Sequence, residues 1–283
     1  MRKYSKLFLA AFTLCAFVGA GPVAAKDYKS IKIATEGAYA PYNFKDAGGN
    51  LVGFEVDLSA ELCKRMGSKC TIVEQAWDGI IPSLVAGKYD AILAGMSITE
   101  KRQEVISFSK PYIYEPIIFA TTKDSELAGF KTDLTDLGLG DLNAEEKAVF
   151  EKLDAVLKDK KVGVQVSTTH ENVMNKMLPE VKLASYDKMD NVILDLTSGR
   201  IDACLSSLSY LKPMLDTPEG KNLILIGPQM TGGPLGPGVG AGIRKEDTKL
   251  VEMFNKAIDE MIADGTLGKL AVKWFGFDGS PKE

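Results

Sequence analysis

The chain has 283 residues, of which 45% are hydrophobic and 25% charged, and it carries a formal net charge of −4 at pH 7. A chain of this length can bury substantial cores, either in one large domain or in two. Its mildly acidic sequence has no basic tract, which argues against nucleic acid or an anionic membrane surface as a partner.

The first 25 residues have the pattern of a secretory signal that is cleaved on export. A basic start with Arg2, Lys3 and Lys6 precedes an apolar run over 7–20, and small residues follow at 23–25. The apolar run is shorter than the about 20 residues that a membrane-spanning helix needs. We therefore predict an exported chain that is not inserted into the membrane.

After the signal, short strand-like runs alternate with helical ones, which predicts α/β layers. Strands are predicted over 30–35, 70–75 and 89–95. A helix is predicted over 55–67, where apolar residues recur at helical spacing.

Three of the four cysteines follow the signal. Cys63 and Cys70 bracket a short loop at the end of the predicted helix. In an oxidising compartment this spacing favours a local disulfide, and two unpaired thiols are the alternative. Cys204 falls in an apolar strand and is predicted to be a small buried side chain.

A second set of elements occupies the other half of the chain. Strands are predicted over 161–167, 181–185, 200–206 and 222–227. The run 248–265 has the spacing of an amphipathic helix, with Gly265 suited to its C-cap. Between the two sets, residues 123–160 are polar, interrupted by Gly and end in the pattern of an amphipathic helix, and we interpret them as a surface excursion of a second lobe.

Two stretches repeat one pattern, WDGIIPSLVAGKYDAILA (77–94) and MDNVILDLTSGRIDACLS (189–206). In both, an Asp lies nine residues before a Gly, which is followed by a basic residue, one further residue and an Asp-Ala pair. The pattern predicts a helix, a Gly turn and a strand in each of two similar lobes, and chance similarity of two α/β units is the alternative. Open α/β sheets bind ligands at the carboxyl ends of their strands, so two facing lobes would share one cleft.

The sequence gives no sign of a metal or cofactor site. It has one histidine, His170, and no Cys/His/Asp cluster at ligand spacing. It also has no nucleophile elbow, Walker loop or dinucleotide fingerprint. The Gly-rich run 232–242 contains prolines and lacks a following Lys-Ser/Thr, so we interpret it as a turn into a strand rather than a phosphate cradle.

Hydroxyl residues open two predicted helices. One begins near Ser97 and places Arg102 in its first turn. Exposed amides, the positive end of a helix dipole and a guanidinium group together suit a carboxylate, and a capped helix with a solvated arginine is the alternative. In the second half, Ser167, Thr168 and Thr169 open a helix and suit the other end of that carboxylate or a second one.

An acid and two aromatic residues could recognise a cationic group. Glu36 follows a predicted strand with Tyr39 three residues on, and Trp77 precedes the first repeated helix. An acid beside an aromatic ring suits a guanidinium or ammonium group. For each aromatic taken singly, packing in or near the core is the alternative.

The chain resembles the periplasmic substrate-binding proteins of the polar amino acid ABC-transport family. The resemblance is carried by the phrases EGAYAPYNF, LVGFEVDLSAELCKRM, WDGIIPSLVAGKYDAI, SITEKRQEVISFS, SGRIDA and GIRKED…ADGTLGKLAVKWF, which span nearly all of the chain after the signal. It is greatest to binders of lysine, arginine, ornithine and histidine, and closer still to binders of the opines octopine and nopaline.

The resemblance implies a two-lobed α/β fold of the type II periplasmic binding proteins. Each lobe would be a mixed sheet flanked by helices, with the ligand in the cleft between the lobes. Residues 26–116 and 236–283 would form the first lobe, and residues 117–235 the second.

The resemblance also implies roles for the polar residues at matching positions. Arg102 matches the clamp for the α-carboxylate, and Ser97 and Thr169 match donors to that group. Glu36 holds the family's acidic position for the distal cationic group.

The walls of the site follow from the same resemblance. Tyr39 and Trp77 match its aromatic walls. Ala94 and Gly95 stand where the family has side-chain hydroxyls, which makes the site roomier or more apolar. Ile117, near the crossover between the lobes, lies where the relatives vary and is predicted to trim the pocket.

Ser207 departs from the family in the most informative way. Basic amino-acid binders carry an Asp there, which pairs with a free α-ammonium, and a substituted α-nitrogen would tolerate Ser better. Gln165 and His170 resemble residues that opine binders place beside the added acid arm, although His170 on a helix surface is the alternative. Ser97 favours the smaller arm of octopine, because relatives that accept nopaline resemble this sequence but have Gly there.

These observations predict a periplasmic solute receptor rather than an enzyme. It would bind an opine of the octopine class, with nopaline as a further candidate, and deliver it to the membrane permease of an ABC transporter. A receptor for arginine or another basic amino acid is the first alternative, and an exported dehydratase-like enzyme is the second. No cofactor is expected, and a monomer suits docking on a permease.

Overall fold

The computed structural model describes residues 26–282, so the predicted signal lies outside the described residues. In chain order the strands are β1 (Ser30–Thr35), β2 (Ala38–Tyr39), β3 (Asn43–Lys45), β4 (Leu51–Val52), β5 (Lys69–Glu74), β6 (Ala91–Ile92), β7 (Ile106–Phe108), β8 (Ile117–Thr122), β9 (Asp136–Gly138), β10 (Lys161–Gln165), β11 (Lys182–Tyr186), β12 (Ala203–Ser207), β13 (Leu223–Thr231) and β14 (Gly242–Arg244). The α-helices are α1 (Phe54–Met66), α2 (Ile80–Val85), α3 (Glu100–Gln103), α4 (Ala144–Leu157), α5 (Thr169–Met177), α6 (Met189–Thr197), α7 (Leu208–Met214), α8 (Thr248–Ala263) and α9 (Thr266–Phe275). Short 3-10 turns occur at Trp77–Gly79, Glu126–Gly129 and Gly233–Leu235.

Two mixed sheets define two lobes. The first has the strand order β5-β1-β6-β14-β7, and the second β11-β10-β12-β8-β13-β9. In each sheet the early strands pair in parallel, while β14 and β8 run antiparallel to their neighbours. The chain leaves the first sheet after β7 and returns to it with β14. This strand order is compatible with the predicted lobe boundaries near residues 116 and 236, whose positions stay a prediction.

Helix α1 anchors the first lobe. Its buried face presents Phe54, Leu58 and Leu62 to the sheet. Gly53 precedes it with φ 131°, and a Cβ there would lie 2.4 Å from the carbonyl oxygen of Tyr42, so only glycine fits this close approach. The small sheet β2-β3-β4 lies against the start of this helix.

The predicted disulfide is present at the end of α1. It joins Cys63 to Cys70, with 6.1 Å between their Cα atoms, and so ties the helix to β5. Cys204 lies fully buried in β12, as predicted, and burial raises the pKa of its thiol to about 12.

The repeated pattern has the same structural meaning in both lobes. The amide of Asp90 donates to the carbonyl of Lys32 at 2.8 Å, and the Asp90 side chain accepts from the amide of Lys32 at 2.9 Å. Asp202 makes the same two bonds with Lys161, at 2.8 and 2.7 Å. Each Asp-Ala pair therefore fixes the register at which its strand joins the neighbouring parallel strand, β1 in the first lobe and β10 in the second.

The structure changes several element predictions. The strand predicted over 89–95 is only the two-residue β6, because the chain then turns to line a cavity, with φ 60° at Gly95. Helix α8 ends at Ala263 with Asp264 as its C-cap, and Gly265, at φ 73°, is the N-cap of the further helix α9.

The excursion predicted over 123–160 is more than a solvated surface. Its strand β9 pairs with β13 at the sheet edge. In α4, Phe150, Leu153 and Leu157 are buried in the core of the second lobe. The amphipathic helix predicted at its end is present and begins with a capping box between Asn143 and Glu146.

Candidate ligand-binding site

A cavity lies between the two lobes, at the carboxyl ends of β1, β6, β10 and β12. It is lined by Glu36, Tyr39, Trp77, Ala94, Gly95, Ser97, Arg102, Gln165, Thr168, Thr169, His170 and Ser207. These are all of the predicted site residues except Ile117. That they bind a ligand stays a prediction, but the fold brings them to one place.

Ile117 lies outside this lining. It is buried at the start of β8, where it pairs with Ser207 on one side and Met230 on the other. Any trimming of the pocket by Ile117 would therefore act through the position of Ser207.

Arg102 is held by three contacts. Its Nη1 donates to the carbonyl of Ser97 at 2.8 Å, and its Nη2 donates across the cleft to the carbonyl of Ser167 at 3.2 Å. Its guanidinium lies 5.2 Å from the ring centroid of Trp77. Burial lowers the pKa of Arg102 to about 10, so the group stays charged at neutral pH.

The second lobe contributes the start of α5. Thr168 is its N-cap, since its hydroxyl accepts from the amide of Glu171 at 3.2 Å and donates to the carbonyl of Gln165 at 2.7 Å. The hydroxyl of Thr169 lies 3.5 Å from that of Ser97 in the first lobe. Hydroxyl groups from both lobes and the charged guanidinium of the first lobe therefore converge on one side of the cavity.

Glu36 is the one carboxylate in the lining. Nε2 of Gln165 donates to it at 2.7 Å and to the carbonyl of Asp187 at 3.0 Å. Burial raises the pKa of Glu36 to about 7, with the hydrogen bond from Gln165 opposing the shift. A buried cationic ligand group would favour its ionised form.

Two buried nitrogens in the lining have no hydrogen-bond partner within residues 26–282, Nδ1 of His170 and Nε1 of Trp77. Burial lowers the pKa of His170 to about 4, so the ring is neutral at pH 7. Buried polar groups are normally paired, so both nitrogens are candidate contacts for a polar ligand.

The sequence analysis missed the support behind Tyr39. Its ring stacks on Tyr210 of the second lobe, with centroids 4.8 Å apart and an angle of 12°. Its hydroxyl lies 3.3 Å from that of Ser206, and the hydroxyl of Tyr210 donates to Asp190 at 3.2 Å. Ser206 and Asp190 belong to the repeated pattern, but nothing in the sequence pairs Tyr39 with Tyr210.

Glu55 was also missed. This buried carboxylate accepts from the amide of Gly95 at 2.7 Å and from Nδ2 of Asn43 at 2.6 Å, and it contacts the hydroxyl of Tyr112. It therefore positions the backbone of one cavity residue. An acid at the second position of a helix gives no such signal, because the partner lies far along the chain.

Across residues 26–282, no three His, Cys, Asp or Glu side chains are grouped as a metal site would require. Over the same part of the chain, every helix is too short or too polar to cross a membrane.

The family of bacterial extracellular solute-binding proteins, family 3, matches residues 31–277. An octopine-binding periplasmic protein of Rhizobium meliloti is 43% identical over an alignment of 293 residues, gaps included. The alignment covers 95% of this chain and 98% of that protein. A histidine-binding periplasmic protein of Salmonella typhimurium is 39% identical over 277 residues, with 96% and 98% covered. A solved periplasmic binding protein of high arginine specificity from Salmonella typhimurium superposes with a TM-score of 0.73 at 28% identity, covering 87% of this chain and 99% of that one.

Proposed function

From the premise that this chain belongs to the bacterial extracellular solute-binding proteins of family 3, we propose that it is a periplasmic receptor for an arginine-derived opine of the octopine class. It would deliver this ligand to the membrane permease of an ABC importer. A relative named as octopine-binding supports the class, and relatives named as histidine-binding lie at a similar distance.

The balance of charge in the cavity carries the proposal. With Glu36 ionised, the form that a bound guanidinium favours, the lining holds one negative charge, on Glu36, and one positive charge, on Arg102, while His170 is neutral and Ser207 is uncharged. Octopine at neutral pH has a guanidinium, a secondary ammonium and two carboxylates, so its net charge is also zero. Free arginine brings one net positive charge, and nopaline, with a further carboxylate, brings one net negative charge. An unpaired charge in a closed cavity is costly, so the balanced ligand fits best.

The guanidinium and the two carboxylates of an octopine-class ligand would each have a partner. Arg102 and Thr169 suit a carboxylate through charge-assisted and hydroxyl hydrogen bonds. Glu36 suits the guanidinium, with Tyr39 as an aromatic wall. His170 suits the second carboxylate, because its unpaired Nδ1, when protonated in the neutral ring, can donate a hydrogen bond to a carboxylate oxygen.

Closure of the lobes is consistent with this role. Hydrogen bonds between the lobes surround the cavity, from Gln165 to Glu36 and from Arg102 to the carbonyl of Ser167. A ligand that contacts both lobes favours the closed arrangement by its differential affinity for it. We propose that the receptor acts as a monomer and leaves its ligand unconverted.

An arginine receptor is the second candidate. The pairing of an acid, Glu36, with aromatic walls suits the guanidinium of either ligand, and a similar solved structure is described by its arginine specificity. The two candidates differ at the α-nitrogen, where Ser207 offers a hydroxyl rather than a counter-charge to a free ammonium.

Calorimetric titration of refolded, ligand-free protein with octopine, nopaline and L-arginine tests the proposal. We expect octopine to bind more tightly than arginine by about 10-fold or more, since a hydrogen bond to a charged group contributes about 1.5–3 kcal/mol. Arginine binding as tight as octopine binding would make this a basic amino-acid receptor. Recovery of the titrated ligand unchanged after long incubation separates a receptor from a dehydratase-like enzyme.

A further inference from the structure

Ser167 has an unusual backbone conformation. Its φ is 61°, and it is the one residue other than glycine with a positive φ within residues 26–282. A side chain in the left-handed region costs about 1 kcal/mol relative to glycine, so such residues are retained where something else requires them. Ser167 lies just before Thr168, the N-cap of α5, and outside the cavity lining.

All three polar groups of Ser167 are hydrogen-bonded, and two of them reach the other lobe. Its hydroxyl donates to Oδ1 of Asp78 at 2.8 Å, and its carbonyl accepts from Nη2 of Arg102 at 3.2 Å. Its amide donates to Oε2 of Glu171 in its own lobe at 2.7 Å. Glu171 is in turn held by the hydroxyl of Ser185 at 2.6 Å.

These bonds tie Ser167 to both sides of Trp77. Asp78 follows this tryptophan directly in the 3-10 turn, and Arg102 lies over its ring. Ser167 therefore contacts both the turn that holds Trp77 and the guanidinium of Arg102, without lining the cavity itself.

We propose that Ser167 is an interlobe latch, a positioning residue that stabilises the closed form whatever ligand the cavity holds. The proposal rests on the proposed binding by closure, and it goes beyond it in assigning part of the affinity to a contact that no ligand makes. Closure aligns Ser167 with Asp78 and Arg102, and opening of the lobes breaks both bonds. Loss of the latch should therefore speed the release of every ligand by the same factor.

Two substitutions at Ser167 separate the hydroxyl from the backbone strain, and two at Asp78 test its hydrogen-bond partner. Ser167→Ala removes the hydroxyl and keeps the strain, whereas Ser167→Gly removes both. Asp78→Ala removes the acceptor, and Asp78→Asn keeps an acceptor oxygen without the charge. Ser198→Gly, at a serine whose hydroxyl donates within the second lobe, is the matched control.

The measurement is stopped-flow release and calorimetric affinity with octopine and, separately, with L-arginine. The bond to Asp78 is exposed to solvent, so we expect Ser167→Ala and Asp78→Ala to weaken both ligands by about 3- to 10-fold through faster release. The double variant Ser167→Ala/Asp78→Ala should be no weaker than the single ones, and Asp78→Asn should recover part of the loss. Ser167→Gly should bind as weakly as Ser167→Ala yet resist thermal unfolding at least as well as the wild type, which a merely structural role would not produce.

Unchanged release in Ser167→Ala, or a loss confined to one of the two ligands, would overturn the latch. If the wild type binds neither ligand, the proposed function fails. The latch is then tested by measuring the closed fraction of the ligand-free protein. Spin labels on Lys101→Cys and Lys176→Cys, at exposed positions of α3 and α5 that face one groove between the lobes, report the closed fraction by pulsed electron resonance. A smaller closed fraction in Ser167→Ala supports the latch, and an equal fraction overturns it.

Discussion

The two repeated stretches, 77–94 and 189–206, build their lobes in the same way but supply different chemistry. Gly87 and Gly199 have φ values of 76° and 72°, and both precede an Asp that pairs with the backbone of the neighbouring parallel strand, β1 or β10. The backbone bonds of the two units are thus equivalent. The repetition is a property of the scaffold.

The side chains of the two units diverge wherever they face the cleft. Asp78, at the start of the first unit, accepts a hydrogen bond from Ser167 in the other lobe. Asp190, its counterpart, accepts from Tyr210 within its own lobe. One acid therefore joins the lobes and the other supports an aromatic ring. The same fold unit gives an asymmetric site because only its backbone bonds are shared.

The largest effect is expected at Arg102, which has no counterpart in the second lobe. Replacing it in Arg102→Met should weaken binding by about 1000-fold, because the loss of a charge-assisted pair with a carboxylate costs about 4 kcal/mol in a desolvated site. Calorimetry measures the change. Arg200→Met, at an exposed arginine paired with Asp195, is the control and should bind normally. A loss of only a few-fold would mean that the carboxylate is held mainly by hydroxyls and amides.

The second prediction concerns the two Asp-Ala pairs. Asp90 also pairs with the buried Arg244 at 3.2 Å and with Lys26, whereas within residues 26–282 the carboxylate of Asp202 accepts only from the amide of Lys161. We expect Asp90→Ala to lower the free energy of unfolding by about 2–3 kcal/mol and Asp202→Ala by about 1 kcal/mol. Urea denaturation measures both. Equal losses would show that the shared backbone bond, and not the added ion pair, dominates at both sites.

The third prediction tests whether the missing acid of the second lobe sets ligand choice. Ser207→Asp should strengthen binding of arginine by about 10-fold or more, by giving the free ammonium a counter-charge, and should weaken binding of octopine, because the new carboxylate would repel the second carboxylate carried on the α-nitrogen. Ser207→Asn introduces a side chain of nearly the same shape as aspartate but without its charge, and it should leave the preference between octopine and arginine unchanged. Competition between the two ligands gives the ratio directly, and a preference that does not move would place the α-nitrogen elsewhere in the cavity.

The sequence predicted those parts of the molecule whose partners lie close along the chain or follow from a repeated pattern. Helix α1 and strand β1 follow from local periodicity, and the Asp-Ala pairs from the repeat. The resemblance supplied the cavity residues, since matching motifs occupy matching strand ends. The stack of Tyr210 on Tyr39 and the bond from Gly95 to Glu55 could not be predicted, because each joins residues brought together only by tertiary packing.

The smallest effect is expected from the titration of Glu36. This acid of the first lobe accepts a hydrogen bond from Gln165 of the second. Burial raises the pKa of Glu36 from 4.5 to about 7, so in the ligand-free protein this acid favours folding less as pH rises from about 4.5 to 7. Binding has the opposite sign, because a guanidinium ligand prefers ionised Glu36. Affinity should therefore rise by about 10-fold from pH 6 to pH 8, with most of the gain below pH 7, since each pH unit below the pKa costs about 10-fold.

The variant Glu36→Gln separates this effect from other groups that titrate nearby. Burial also raises the pKa of Glu55 to about 7 and that of Glu115 to about 8, whereas His170 titrates near pH 4, outside the range. If Glu36 is responsible, Glu36→Gln should bind more weakly at pH 8 and show a flat profile. If the pH profile keeps its slope in this variant, the titrating group is Glu55 or Glu115 instead. The cationic end of the ligand would then not lie at Glu36.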